Sequence, residues 1–264
     1  MSNTAWDAVL ERYAKLKEPD KHLAPSVLLM HDDKCLTIFD GYEKAKFHFL
    51  VLPRDPFILS SGAKIPSQNL ASLSLLLRSP SCLQVLRAMS QQANKVVTMI
   101  QDEMQKRFGC VWDVQVGFHA VESMRHVHLH VISADLCSAR LKNKKHFNSF
   151  HPKLGFFLHL KDIVRMVESG KRELRPRSEY EAILKQPLVS HITNQEFSTI
   201  PKLKQHLQES FDHMVNSGRP IVAPKHHNRP DASTTSKKRE YLTEESSSSP
   251  RSKKVKPDVI ELSD

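Results

Sequence analysis

Three shortages stand out in this chain of 264 residues, and each removes a class of protein. Cysteine is the first: Cys35, Cys82, Cys110 and Cys137 are scattered, and no Cys-x-x-Cys pair exists. Such spacing supplies neither a disulfide frame nor a thiolate metal cage and suits free thiols in a reducing compartment. Long apolar runs are the second. None reaches the ~18 residues of a membrane span, and the polar N-terminus lacks the apolar core of a secretory signal, so the expectation is a soluble intracellular protein. Acidic residues are the third: 29 Asp and Glu stand against 39 Lys and Arg, a formal net charge of +10. That excess makes a polyanion a fair candidate partner, although many soluble proteins share it. The length allows one ordinary domain with appendages.

What the chain does carry is concentrated in His126-Val127-His128-Leu129-His130-Val131-Ile132, where polar and apolar residues alternate. Period two predicts a half-buried β-strand with the three imidazoles on one face and Val127, Leu129 and Val131 on the other. Same-face imidazoles would lie roughly 6.5–7 Å apart, a row that suits one nucleophile or base flanked by two orienting groups. Two readings compete with it. One is a strand whose histidines merely face solvent. The other is a zinc site, which needs a third protein ligand that the scattered cysteines do not converge to supply. Nucleophilic chemistry at phosphorus is favoured.

Residues 4–17 have the pattern of a short amphipathic helix, with Trp6, Val9, Leu10, Tyr13 and Leu16 as its apolar stripe. Strands are predicted at residues 26–30, 35–39, 47–52 and 111–118, with Gly117 permitting close approach of another backbone. Leucine, valine and methionine recur at helical spacing over residues 67–77 and 82–108. The break at Ser79-Pro80-Ser81 makes two helices, with Ser81 a candidate N-cap. Beyond the histidines, Lys142, Lys144, Lys145 and His146 fall beside Phe147 and Phe150. Basic groups interleaved with aromatics suit a phosphate backbone next to exposed bases, though a solvated loop has the same composition.

The histidine stretch matches at every position the signature of the histidine triad superfamily, His-φ-His-φ-His-φ-φ with φ apolar. Its flanks are Gly117-Phe118-His119-Ala120 and Ser123-Met124 before it, and Leu141-Lys142-Asn143-Lys144-Lys145-His146-Phe147-Asn148-Ser149-Phe150 after it. Together they resemble the aprataxin branch, the DNA-adenylate hydrolases. The resemblance implies an α+β histidine triad fold, an antiparallel sheet of about five strands with helices on one face. It implies a catalytic domain with an N-terminal DNA-end helix over residues 1–155, a finger-like DNA-binding module over 156–215 and a basic tail over 216–264.

The implied activity is removal of AMP from 5′-adenylated DNA ends at nicks or breaks. His128 would be the nucleophile of a covalent adenylyl-histidine, oriented by His126 and His130. His119, Ser123 and Lys44 would stabilise charge on the phosphate, and no catalytic metal would be required. The resemblance also places His48 near the nucleotide and Lys142, Asn143, Lys145 and His146 on DNA. Trp6 would either stack on a terminal base pair or simply dock its helix on the core. Glu43 and Glu122 stand where the family commonly has proline. A small-molecule histidine triad nucleotide hydrolase and a non-enzymatic DNA-end adaptor remain as alternatives; the basic loop and Trp6 speak against the first, the intact triad against the second.

Family members follow the catalytic domain with a zinc finger. The helical pattern over residues 200–214 resembles its helix and keeps His206, but Ser190 and Thr193 occupy the two cysteine positions and Ser210 the last ligand position. Zinc binds neutral hydroxyls poorly, so a metal-free module is expected and a structural zinc doubtful. Lys202 and Lys204 could still reach DNA phosphates. From about residue 216 the chain is poor in apolar residues, and disorder is expected. Lys237-Lys238-Arg239 and Arg251-Ser252-Lys253-Lys254-Val255-Lys256 resemble a bipartite nuclear import signal or a nonspecific nucleic-acid tail, and both point to the nucleus. Val259-Ile260-Glu261-Leu262, apolar between acids, looks like a SUMO-interacting motif, set against a plain disordered terminus.

Overall fold

The computed structural model describes residues 7–218. The expectations for Trp6, for the two basic clusters of the tail and for Val259-Ile260-Glu261-Leu262 lie outside the described residues. Two short helices, α1 (Val9–Ala14) and α2 (Pro19–His22), lead into strands β1 (Leu28–His31), β2 (Cys35–Phe39) and β3 (His48–Pro53). A small hairpin follows, β4 (Phe57–Ile58) and β5 (Lys64–Ile65), then a 3-10 turn (Ser67–Leu70), α3 (Leu73–Arg78) and the long α4 (Cys82–Phe108). Next come β6 (Val114–His119), β7 (Leu129–Ser133), α5 (Lys144–Phe150), β8 (Phe157–His159), α6 (Leu160–Glu168) and α7 (Arg177–Ile183). The hairpin β9 (Leu188–Val189) and β10 (Glu196–Phe197) precedes the last helix, α8 (Ile200–Ser217).

Strand alternation decides which side of the sheet each residue serves. Phe49 and Val51 of β3 and Leu129 and Val131 of β7 join Val85, Leu86, Met89, Ala93 and Val96 of α4 in the main core. Their chain neighbours, His48, Leu50 and His130, therefore face the other side. The strands form one antiparallel sheet in the order β1-β2-β3-β7-β6-β8, six where about five were expected. The added edge strand, β8, lies beyond residue 155. α4 and α6 cover one face as anticipated. The other face is covered at its margins too, because its flanks are apolar. α1 packs Leu10 on Leu36, Ile38, Leu50 and Leu52, and α5 packs Phe147 and Phe150 with Ile132 and Phe157. Only a central strip carrying histidines is left between them.

Two helix boundaries differ in detail from expectation. The pattern over residues 67–77 is interrupted at Ser72, whose Oγ accepts from the Leu75 amide at 3.2 Å and starts α3 afresh. Ser81 does precede α4 but makes no side-chain cap bond. Gly117 behaves as predicted: a Cβ there would meet Leu158 O and Phe157 Cε1, both at 2.5 Å, so only glycine lets β8 lie this close to β6.

α8 is anchored by burial. Leu203 and Leu207 enter the core around Phe147, while Phe211 and Met214 enter the main core beside Trp112. Each such side chain contributes ~1.5–3 kcal/mol, so the C-terminal segment packs into the sheet's own core. Among the described residues no helix is long and apolar enough to cross a membrane.

Candidate active site

The strand predicted over residues 126–132 begins only at Leu129. His126 adopts φ 80°, a left-handed backbone that side-chain-bearing residues rarely hold, and this one residue breaks the alternation. Its amide donates to Ala71 O at 3.0 Å, and its Nε2 donates to Pro53 O at 2.7 Å. The ring is thus tied to the end of β3, and the expected row of three same-face imidazoles is a row of two. What His126 presents to the site is its carbonyl oxygen, which accepts from His128 Nδ1 at 2.8 Å. A carbonyl can only accept, so the proton of His128 sits on Nδ1 and the lone pair on Nε2. The unusual backbone costs ~1–3 kcal/mol, strain of a kind that clusters at functional sites.

His130 lies at the centre of an imidazole cluster, with the rings of His119, His128 and His48 at 4.5, 5.1 and 5.2 Å between centroids. Phe150 walls the cluster, 4.4 Å from His119 and 5.2 Å from His130. The Lys44 amide donates to His48 Nδ1 at 3.2 Å. The proton of neutral His48 is therefore on Nε2, which donates to His130 Nδ1 at 3.0 Å. Burial keeps these rings neutral. It pushes His48 and His126 down to about 4, lowers His128, and takes His119 and His130 well below the ordinary imidazole range.

Asp40 stands 3.4 Å from His48 Nε2, and Asp40, His48 and His130 bring one donor atom each within 4.8 Å of one another. That spacing could hold a cation, but the tautomer opposes it. Freeing His48 Nε2 for a metal would move its proton to Nδ1, against the Lys44 N–H. That proton is instead donated to His130 Nδ1, with the Asp40 carboxylate beside the pair. All three triad residues are buried, with residue exposures of 1 % for His126, 4 % for His130 and 7 % for His128.

Other expected residues are distributed more widely. Lys44 is buried in the turn before β3, its ammonium bonded to Tyr42 O, and burial lowers its pKa. Ser123 is exposed on the loop after β6, lining a cleft of about 430 Å³ with Glu122, Arg125 and Arg175. Lys142 and Lys145 are exposed; Asn143 Oδ1 accepts from the His146 amide at 2.9 Å, and this pair caps α5. Phe147 and Phe150, expected beside exposed bases, are instead buried, because α5 must cover the apolar margin of the histidine face. α8 brings Lys204 to Ala139 O at 3.4 Å, which joins the basic loop to the basic end of α8, where Lys202 is exposed. Asp40 and the carbonyls of His126 and Pro53 escaped the sequence reading. Backbone carbonyls leave no trace in residue type, and Asp40, beside Gly41, has the composition of an ordinary turn.

Residues 7–146 match the family described as "Scavenger mRNA decapping enzyme C-term binding", and residues 153–213 match "C2HE / C2H2 / C2HC zinc-binding finger". Aprataxin of Danio rerio is 37% identical over 185 residues, 70% of this chain and 49% of that protein. Aprataxin of Gallus gallus is 35% identical over 187 residues, 71% of this chain and 52% of that protein. The chain belongs to the aprataxin family. It spans about half the length of these aprataxins. The crystal structure of the aprataxin ortholog Hnt3 in complex with DNA shares the fold, with a TM-score of 0.59 at 23% identity over 80% of this chain and 97% of that one.

The segment that matches the zinc-binding finger carries no cysteine. Ser190 Oγ lies 3.0 Å and Thr193 Oγ1 3.3 Å from His206 Nε2, so the three ligand positions converge. Ser190 Oγ also accepts the amides of Ile192 and Thr193. Phe197 stacks on the His206 ring at 4.8 Å. Two hydroxyls and one imidazole are a poor donor set for zinc, and the residues present do not fit the metal.

Proposed function

We propose that this chain removes AMP from 5′-adenylated DNA ends. The observation that carries the reading is the His128 Nδ1–His126 carbonyl bond of 2.8 Å. It leaves Nε2 unprotonated at neutral pH and supplies an acceptor for the positive charge that the ring gains when Nε2 bonds to phosphorus. In the first step an Nε2–P bond forms at the α-phosphorus of the 5′–5′ diphosphate, and the P–O bond to the DNA phosphate breaks. DNA departs with its 5′-phosphate. Water then cleaves the P–N bond, releasing AMP and restoring the imidazole lone pair.

His130, held by His48, packs against His128 and fixes its orientation; His126 acts through its carbonyl. Lys44 lies in the electrostatic neighbourhood of the cluster, where its fixed positive charge stabilises the anionic transition state at low reorganisation cost, while neutral His119 packs on His130. Ser123 reaches the phosphate from its exposed loop. In this reading Lys142, Lys145, Lys202 and Lys204 contact duplex phosphates, and the C-terminal segment serves as a metal-free platform. DNA in the Hnt3 complex, from a protein of the same fold, supports a nucleic-acid substrate.

The test is incubation with a 5′-adenylated nicked duplex and, separately, adenosine 5′-phosphoramidate, with quenching in alkaline detergent, which preserves a P–N bond, to trap labelled AMP on the protein. Expected are AMP release from DNA, a trapped adenylate on the wild type, and neither with His128→Ala. Near-normal turnover by His128→Ala in metal-free protein would overturn the assignment; turnover of the phosphoramidate alone would favour the small-molecule hydrolase.

A further inference from the structure

The turn bearing Lys44 is gripped by contacts that the chemistry above does not use. Ser138 Oγ donates to Glu43 O at 2.7 Å. Arg140 Nε meets Glu43 Oε2 at 3.1 Å, and its guanidinium lies 5.7 Å over the Tyr42 ring. On the other side of Lys44, Asp135 Oδ2 accepts from the Lys46 amide at 2.9 Å. Ala45, between them, is buried in one cluster with Leu136 and Leu141. One loop, residues 135–141, therefore holds the turn both before and after the lysine. The same loop runs directly into Lys142 and Asn143.

An ion pair whose partners are 50% and 43% exposed contributes only ~0–1 kcal/mol, so stability does not account for this arrangement. Geometry does. A proline at residue 43 would fix its own φ; glutamate cannot, and the restraint must come from outside the turn. Lysine ammonium is a point charge on a flexible stem, so its position depends on where its backbone is held. Displacing a catalytic charge by ~1 Å can cost as much as 10²-fold in rate.

We propose that Ser138 and Arg140 are positioning residues, clamping Glu43 so that Lys44 meets the phosphate being transferred. The proposal rests on the deadenylation reading and acts through Lys44, with neither residue touching substrate. It distinguishes Arg140 from the neighbouring lysines of the same loop: those would contact DNA, whereas Arg140 is spent on Glu43.

The experiment measures kcat, KM and Tm for wild type, Ser138→Ala, Arg140→Ala and the charge swap Glu43→Arg with Arg140→Glu. Substrates are the 5′-adenylated nicked duplex and adenosine 5′-phosphoramidate. Arg140→Ala should lower kcat about tenfold on each substrate that the wild type turns over, with KM for DNA within twofold of wild type and Tm unchanged. The charge swap should restore most of the lost kcat. A raised KM on DNA with kcat intact would make Arg140 a phosphate contact and overturn the clamp. So would a kcat loss that the swap fails to restore, or one that tracks a fall in Tm. A wild type that releases AMP from neither substrate overturns the deadenylation reading and the clamp together.

Discussion

Replacing Gly117 with alanine tests how closely the fold and the site are joined. The new methyl group would lie 2.5 Å from Leu158 O and from Phe157 Cε1, and 2.9 Å from Phe157 Cζ. The Phe157 ring could swing, but Leu158 O is backbone within the β6–β8 ladder, where Gly117 pairs with His159 and Phe118 with Leu158. Relief therefore requires β8 to move away from β6. Overpacking of this kind costs ~1–3 kcal/mol, and backbone displacement argues for the upper end. For an ordered region of this size, 3 kcal/mol lowers Tm by roughly 6–12 °C. The displaced Phe157 also lies 6.4 Å from His130 and 6.3 Å from His119, so AMP release should fall beyond what unfolding explains at the assay temperature. Thermal denaturation followed by circular dichroism, with turnover measured at least 15 °C below the variant's Tm, checks both. A Gly117→Ala protein melting within about 1 °C of wild type would show that β8 does not bear on β6 as described.

Acid should unfold the chain early. His48, His126, His151 and His191 sit at about 4 when folded, each because burial disfavours the charged ring, against ~6.5 unfolded. Below pH 6.5 the unfolded chain binds more protons, so the stability present above that pH is lost as pH falls towards 4, by about 3 kcal/mol for each ring. A Tm that stays level from pH 7.5 to pH 5 would contradict this. Chelation should leave Tm and DNA affinity unchanged, with less than one-tenth of a zinc per chain by elemental analysis as a rough bound; a Tm drop on adding EDTA would restore the metal to the finger. Substituting alanine for both Lys142 and Lys145 should flatten the plot of log DNA affinity against log salt by ~0.9 for each lysine, and an unaltered slope would remove those lysines from the DNA contact. On acidification the turnover rate should decline as His128 gains a proton on Nε2, but only at a pH below that expected of a free imidazole, because burial lowers its pKa. A rate that already halves near pH 6.5 would show a solvent-exposed ring.

Some of this was legible in residue order and some was not. Alternation over residues 126–132 identified a strand, and from Leu129 onward it holds, with His130 opposite Leu129 and Val131 because a pleated backbone leaves side chains no other choice. The same rule failed at His126, because a hydrogen bond from its ring to Pro53 O and one from its amide to Ala71 O come from distant chain and outweigh the local preference. Phe147 and Phe150 misled for a related reason: beside four basic residues they looked available for bases, yet burial against Ile132 and Phe157 is worth more than exposure.

The sequence by itself determined the order of β1, β2, β3, β6 and β7 and of α1, α3, α4 and α8, and the loss of thiols at Ser190 and Thr193, because each depends on residue type at short range. Only tertiary structure decided which nitrogen of His128 carries the proton, that His48 and His119 gather around His130, and that Arg140 holds Glu43. The first follows from the left-handed backbone at His126, held by the distant Pro53 and Ala71 carbonyls, and the others from side chains brought together across the fold, and no local pattern encodes such contacts.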